Sequence, residues 1–184
     1  MYNYCSIEEI DGAYLFCNFS AEDIRGNFLK VLQKSKMPED ISSIEFVECF
    51  ITASRKNVLR GMHFQRPPDA VEKLVTVVSG EALDVILDLR VSSPTYKKFF
   101  SVKLGGTSKY QTIFVPSGCA HGFLALTDEM RMLYQTSCEY SPVSDSGIHY
   151  NSFGFHWPVS ADQLILSDKD AALPEWTEKE IIFS

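Results

Sequence analysis

Basic residues are in short supply in this chain. Seventeen Lys and Arg stand against 24 Asp and Glu in 184 residues, a formal net charge of −7. A general nucleic-acid binder needs a basic face to displace counterions from phosphate, so that class is excluded. A small anionic ligand held in one basic pocket is not. Cysteine is also sparse: Cys5, Cys17, Cys49, Cys119 and Cys138 are odd in number and show no C-x-x-C spacing. That excludes a disulfide framework or a zinc knuckle and leaves buried free thiols as the expectation. No apolar run approaches the ~20 residues of a transmembrane helix, and Met1–Asp11 carries acids where a signal peptide would be basic and then apolar. Repeats, low-complexity tracts and linkers are lacking too. With 45% hydrophobic residues the chain is not disordered. The expectation is a soluble, cytoplasmic protein with one domain over residues 1–184 that makes no contact with nucleic acid or membrane.

What the sequence does have is many short strands. Leu83, Val85, Leu87 and Leu89 alternate with Asp84, Ile86, Asp88 and Arg90, a period of two. Lys73–Val78, Lys98–Leu104, Tyr110–Val115, Gly122–Leu126 and Met130–Tyr140 have the same β-rich character. Turn chemistry separates them, as in Arg66-Pro67-Pro68-Asp69, Ser79-Gly80, Gly105-Gly106 and Pro116-Ser117-Gly118. Strands at roughly ten-residue spacing without intervening helices predict an all-β sandwich or barrel. Helix is expected only in short pieces, at Ser20–Ile24 and near Ser167–Ala172, where Ser167 could cap. The apolar segment Ile44–Ala53 suits a buried or exchanged strand, which makes a homodimer plausible.

Two of the four histidines have unusual neighbours. His63 lies in Arg60-Gly61-Met62-His63-Phe64-Gln65, and His121 in Pro116-Ser117-Gly118-Cys119-Ala120-His121. The second stretch resembles the P-x-G-x-x-H half-motif of cupin jelly rolls. In metal-binding cupins the first half-motif supplies further ligands, but here the corresponding position is Gln65, so no metal is expected. A barrel holding His, Lys73, Arg60 and tyrosines suits proton transfer instead: His can act as a base near neutrality and Tyr as a weak acid.

The run Asn57-Val58-Leu59-Arg60-Gly61-Met62-His63-Phe64-Gln65 resembles the signature of the dTDP-4-dehydrorhamnose 3,5-epimerase family. So do Lys73-Leu74-Val75, Asp84 to Arg90, Ser93-Pro94-Thr95, Pro116 to Phe123, Leu133-Tyr134, Tyr140-Ser141-Pro142 and Ser167-Asp168-Lys169-Asp170. The resemblance runs in order from Tyr14 to Pro174. It implies a cupin-type jelly roll that dimerises by exchanging N-terminal strands, with no metal or organic cofactor. The implied substrate is a nucleotide-diphosphate-linked 4-keto-6-deoxyhexose, epimerised at C3, C5 or both for surface polysaccharide or a glycosylated product. His63 matches the family's base, Asp170 the carboxylate that holds it, Tyr134 the opposing acid and Lys73 the cation beside the enolate. His121 would assist that oxygen or the sugar hydroxyls, and Arg60 resembles a diphosphate contact. Tyr140 matches a residue stacked on the nucleobase, and Arg25 a nucleotide contact from the neighbouring subunit. Asp145 and Lys169 complete the substrate side.

Departures from the family pattern fall on the nucleotide. Lys30 stands where the family has a carboxylate, and Glu48, Cys49, Phe50 and Ile51 replace Gln, Asn and His side chains. Polar contacts discriminate strongly, because a mismatched ligand leaves buried groups unpaired. The expectation is retained sugar chemistry, Lys30, Glu48 and Phe50 lying at the substrate, and a nucleotide that need not be thymidine: CDP, GDP and UDP carriers stay open. A related sugar 3,4-ketoisomerase and a non-catalytic nucleotide-sugar-binding cupin are the alternatives. The joint presence of Tyr134, Lys73 and Asp170 argues against both.

Overall fold

The structure, a computed structural model, describes residues 3–177 and Phe183. Its strands are β1 (Asn3–Ser6), β2 (Tyr14–Cys17), β3 (Phe19–Asp23), β4 (Gly26–Lys30), β5 (Glu48–Ser54), β6 (Leu59–Gln65) and β7 (Lys73–Ser79). They continue with β8 (Glu81–Asp88), β9 (Phe99–Gly105), β10 (Thr112–Val115), β11 (Cys119–Ala125), β12 (Met130–Thr136) and β13 (Asp145–Gly147). Two one-turn helices, α1 (Glu39–Ser42) and α2 (Asp168–Ala171), accompany them. The order β1-β2-β10-β7-β12-β5 makes one antiparallel sheet and β13-β6-β11-β8-β9 a second, with β3-β4 as a separate hairpin. The two larger sheets face each other as an all-β jelly roll of the cupin type.

The core follows from side-chain alternation on strands covered on both faces. Leu15, Val75, Val77 and Ile113 of the first sheet meet Ile86, Leu104 and Phe123 of the second between the sheets. Val85, Leu87 and Leu89 face the other way, onto Ile148, Phe153 and Phe183. α1 covers the outer face of the first sheet, where Ile41 packs on Phe16, Leu74 and Phe114. Alternation on β8 is therefore not apolar-in, polar-out. Asp84 shares the inward face with Ile86, and both Asp84 and Asp88 are fully buried. Asp88 is satisfied locally: its carboxylate accepts from the Arg90 guanidinium and from the hydroxyls of Ser93 and Thr95. Burial pushes this carboxyl up, but those hydrogen bonds outweigh it and hold it below the usual carboxylate range.

Several expectations need correction. Ser20–Ile24 is not helical: β3 pairs with β4 from Phe19↔Lys30 to Asp23↔Gly26. The reason is the turn. Asp23 Oδ1 accepts from the Arg25 N–H at 2.9 Å, and Gly26 takes φ of +116°, a conformation L side chains rarely adopt. The strand expected over Met130–Tyr140 ends at Thr136, so Tyr134 and Tyr140 do not share one strand. The segment Ile44–Ala53 contributes an edge strand, β5, rather than a buried one, with Ile51 and Cys49 exposed. The cysteines are free, yet only Cys119 is buried; desolvation pushes its thiol up to about 12. The short helix near Ser167 is present, and the Ser167 hydroxyl caps it by accepting from the Asp170 N–H at 3.1 Å. Among the described residues no helix is long and apolar enough to cross a membrane.

Candidate active site

A cavity of about 440 Å³ opens between the two sheets, with walls from β5, β6, β7, β11 and β12 and a mouth formed by Tyr140, Asp145 and Lys169. His63 and His121 reach it from adjacent strands, facing each other in the β6–β11 register. Gly61 makes that approach possible. At φ +113°, a Cβ there would lie 2.5 Å from the Gly122 Cα and 2.6 Å from the His121 carbonyl oxygen. Each imidazole has its own carboxylate. His63 Nε2 is 2.5 Å from Asp170 Oδ1, and His121 Nε2 is 2.9 Å from Asp84 Oδ2. Asp170 arrives on α2, and the Ser167 cap fixes the turn that carries it. Burial raises the Asp170 carboxyl, but the His63 bond and charge outweigh it and hold the group below the ordinary carboxylate value. Because Nε2 of His63 is engaged by Asp170, Nδ1 is the nitrogen left to take a proton.

Lys73, at the start of β7, donates from Nζ to the His63 carbonyl oxygen at 3.1 Å. Desolvation lowers its amine to about 8, with Asp145 and Asp84 pulling the other way. Most of these amines therefore stay charged at neutral pH. Tyr134, on β12, is buried beside the edge of the His121 ring, with centroids 6.2 Å apart at 70°. Burial and the Asp84 charge push its phenol above the ordinary tyrosine value, and Arg60 and Thr52 partly oppose that. Arg60 leaves β6 toward the edge strand, where Nε donates to the Ser54 hydroxyl at 3.1 Å and Nη2 to the Ala53 carbonyl at 3.3 Å. At the mouth the Tyr140 hydroxyl donates to Asp145 Oδ2 at 3.0 Å, and Lys169 pairs with the same oxygen. One base-type histidine with its carboxylate, one buried phenol and three cations thus surround one space. That set can remove a proton from a carbon acid, hold the resulting oxyanion and return a proton.

The sequence pattern of the dTDP-4-dehydrorhamnose 3,5-epimerase family matches residues 8–178. The chain belongs to that family. The dTDP-4-dehydrorhamnose 3,5-epimerase of Salmonella typhimurium is 41% identical over 156 residues, covering 83% of this chain and 84% of its own. The crystal structure of the Sulfolobus tokodaii dTDP-4-dehydrorhamnose 3,5-epimerase superposes with a TM-score of 0.85 at 33% identity, covering 100% of this chain and 99% of that one. A dTDP-6-deoxy-D-glucose-3,5-epimerase from Legionella pneumophila, solved in complex with dTDP-4-keto-L-rhamnose, superposes with a TM-score of 0.83 at 31% identity, over 96% of this chain and 100% of that one. The chain is thus an isomerase of the epimerase type.

Within this epimerase fold His63, Lys73, Arg60, His121, Tyr134, Tyr140, Asp145, Lys169, Glu48 and Phe50 all line the cavity. Asp170 stands behind His63. Two residues do not join them. The Arg25 side chain is 85% exposed on the hairpin turn and forks onto Asp23, with Nη2 2.5 Å from Oδ2. Lys30 closes the same hairpin, and its carbonyl accepts from Asn18 Nδ2 at 3.0 Å. Neither lines the cavity of its own chain. Of the four departures on β5, alternation sends only Glu48 and Phe50 inward, while Cys49 and Ile51 point out. Gln65 is a loop anchor: its amide donates to the Asp69 and Glu139 carbonyls and accepts from the Ser141 N–H, tying the Tyr140 loop to β6. Sequence reasoning assigned no role to Asp84, Thr52 or Ser54. The aspartate in an apolar alternation was the available signal for the first, and the two hydroxyls offered none. Among the described residues no group of three or more His, Cys, Asp or Glu is placed to hold a metal ion.

Proposed function

We propose that the chain epimerises a nucleotide-linked 4-keto-6-deoxyhexose at C3, C5 or both, by proton transfer without a metal or organic cofactor. The observation that carries this reading is the placement of the His63–Asp170 pair and the buried Tyr134 phenol around one cavity. The 4-keto group acidifies the hydrogens on C3 and C5. His63 takes one of them, the electron pair of that bond moves into the enolate, and Asp170 stabilises the imidazolium. The Lys73 ammonium faces the enolate oxygen, where fixed charge is worth most in a dry site. Tyr134 returns a proton from the opposite face. His121, oriented by Asp84, meets the sugar oxygens, Arg60 and Lys169 take the diphosphate, and Tyr140 stacks on the base. A binding module would have no use for the base and the acid together.

A homodimer completes this reading. The β3–β4 hairpin exposes Phe28 and Ile24, and the edge strand β5 exposes Ile51. Exchange of these N-terminal elements would cover them and carry Arg25 and Lys30 to a second copy's cavity. The enzyme works in the cytoplasm, and the chain acts as one jelly-roll domain. As for the carrier, the relatives bear dTDP in their names, and with Cys49 and Ile51 turned outward only Glu48 and Phe50 depart within the cavity. That supports dTDP. The test is turnover in deuterium oxide of 4-keto-6-deoxyglucose linked to dTDP, CDP, GDP or UDP, followed by NMR. Deuterium entering C3, C5 or both is the expected result; none with any carrier would sink the epimerase reading, and a clear preference for another nucleotide would sink the dTDP assignment.

The Lys73 amine supplies a pH dependence with a definite sign. Its protonated form stabilises the enolate, so the rate should be steady near neutrality and decline as pH rises through about 8. A rate profile between pH 6 and 10 measures this. A flat alkaline limb would remove Lys73 from enolate stabilisation.

A further inference from the structure

On the inward face of β5, Phe50 and Thr52 both address Tyr134. Register places Phe50 directly opposite Tyr134 and Thr52 opposite Met132, so Thr52 is the diagonal neighbour of the tyrosine. Cross-strand pairs at these two offsets lie within reach of an aromatic side chain. The Phe50 ring is stacked on the Tyr134 ring, with centroids 4.8 Å apart and planes 11° from parallel. Both residues line the cavity with Thr52, whose hydroxyl oxygen is buried and has no hydrogen-bond partner of ordinary geometry. A buried hydroxyl without a partner is uncommon and calls for an explanation.

We propose that Phe50 and Thr52 are positioning residues for Tyr134: the ring of Phe50 fixes the plane of the phenol, and the Thr52 hydroxyl donates to the tyrosinate oxygen formed during reprotonation. The inference rests on the epimerase reading. In that step the enolate carbon takes the phenolic proton. The O–H electron pair stays on the tyrosine oxygen, the C=C π pair of the enolate becomes the new C–H bond, and a lone pair of the enolate oxygen re-forms the ketone. Negative charge therefore moves from the substrate onto a buried oxygen that burial and Asp84 disfavour. Arg60 and Thr52 are the groups that offset this, and a hydrogen bond to an oxyanion is roughly twice as strong as a neutral one. The Thr52 hydroxyl thus already lies beside the Tyr134 phenol, short of ordinary hydrogen-bond geometry at rest, and its bond tightens as the charge develops, the arrangement that favours a transition state over a ground state.

The experiment follows two rates with dTDP-4-keto-6-deoxyglucose in deuterium oxide: deuterium uptake with retained configuration, which needs the base alone, and inversion, which needs Tyr134 as well. Thr52→Val should lower inversion by about 10- to 100-fold relative to uptake, with KM little changed. Thr52→Ser, which restores the hydroxyl, should recover inversion to within a few-fold. Phe50→Leu should lower inversion less, because the hydroxyl remains. If valine prevents folding, Thr52→Ala removes the hydroxyl without adding a methyl. Wild-type inversion in the variant lacking the hydroxyl, equal loss of both rates, or no recovery in Thr52→Ser would overturn the proposal. Wild-type protein that neither exchanges nor inverts with the dTDP-, CDP-, GDP- or UDP-linked sugar would instead overturn the epimerase reading, and this proposal with it.

Discussion

His63→Asn should lower both epimerisation and deuterium uptake by about 10²- to 10⁴-fold, the range a positioned general base contributes. The loss should fall on kcat rather than KM, since the imidazole acts on one carbon-bound hydrogen. Folding should be spared: the side chain is 31% exposed and its principal hydrogen bond is to Asp170. Asp170→Asn tests the same pair from behind. An amide of equal shape keeps the packing but cannot stabilise an imidazolium, so turnover should again fall by about two orders of magnitude or more. Parallel loss of uptake and inversion in both variants is the expected NMR result. Uptake at the wild-type rate in His63→Asn would mean that another group removes the proton.

Tyr134→Phe should separate the two rates that His63→Asn abolishes together. Without the phenol the base can still remove a proton, exchange it with solvent and return it to the face it came from. Inversion should drop by about 10²- to 10⁴-fold while uptake with retained configuration persists. Stability should change little, because the ring stays stacked on Phe50 and only the hydroxyl is removed. The readout is the ratio of deuterated starting sugar to deuterated product. Inversion undiminished in Tyr134→Phe would show that the opposing acid is another group, with His121 and Lys73 the remaining candidates in the cavity.

Much of the candidate site is legible in sequence because the residues that the fold gathers around the cavity sit in short, ordered motifs. The stretch from Arg60 to Gln65 includes His63 and the glycine that lets β6 approach β11, and Ser167 to Asp170 contains a helix cap together with the carboxylate it positions. Each such motif is local, so its chemistry can be read before its partner is known. The pairings were not legible in the same way. Asp84 looks like the polar half of an ordinary alternation, and only the packing on both faces of β8, the first sheet on one and Ile148, Phe153 and Phe183 on the other, turns that half inward toward His121. Tyr140 seemed to share a strand with Tyr134, but β12 ends at Thr136 and Tyr140 is held by Asp145 from another strand. Ser20–Ile24 reads as a helical piece, but it forms β3 and the turn into β4, because a five-residue window carries too little periodicity to outweigh one turn motif.

The scarcity of basic residues argues against polymeric nucleic acid, the period-two pattern points to a sheet protein, and the ordered motifs name the family. Those conclusions depend on composition and on neighbours along the chain, which the sequence states outright. Which histidine faces which carboxylate, which side of β5 turns inward, and that Arg25 and Lys30 lie outside their own chain's cavity depend on register between strands far apart in sequence. Register is decided by the joint packing of two sheets, where a shift of one residue would exchange every inward side chain for an outward one. The net charge of −7 belongs to the whole surface; the placement of Arg60, Lys73 and Lys169 around one cavity belongs to the fold.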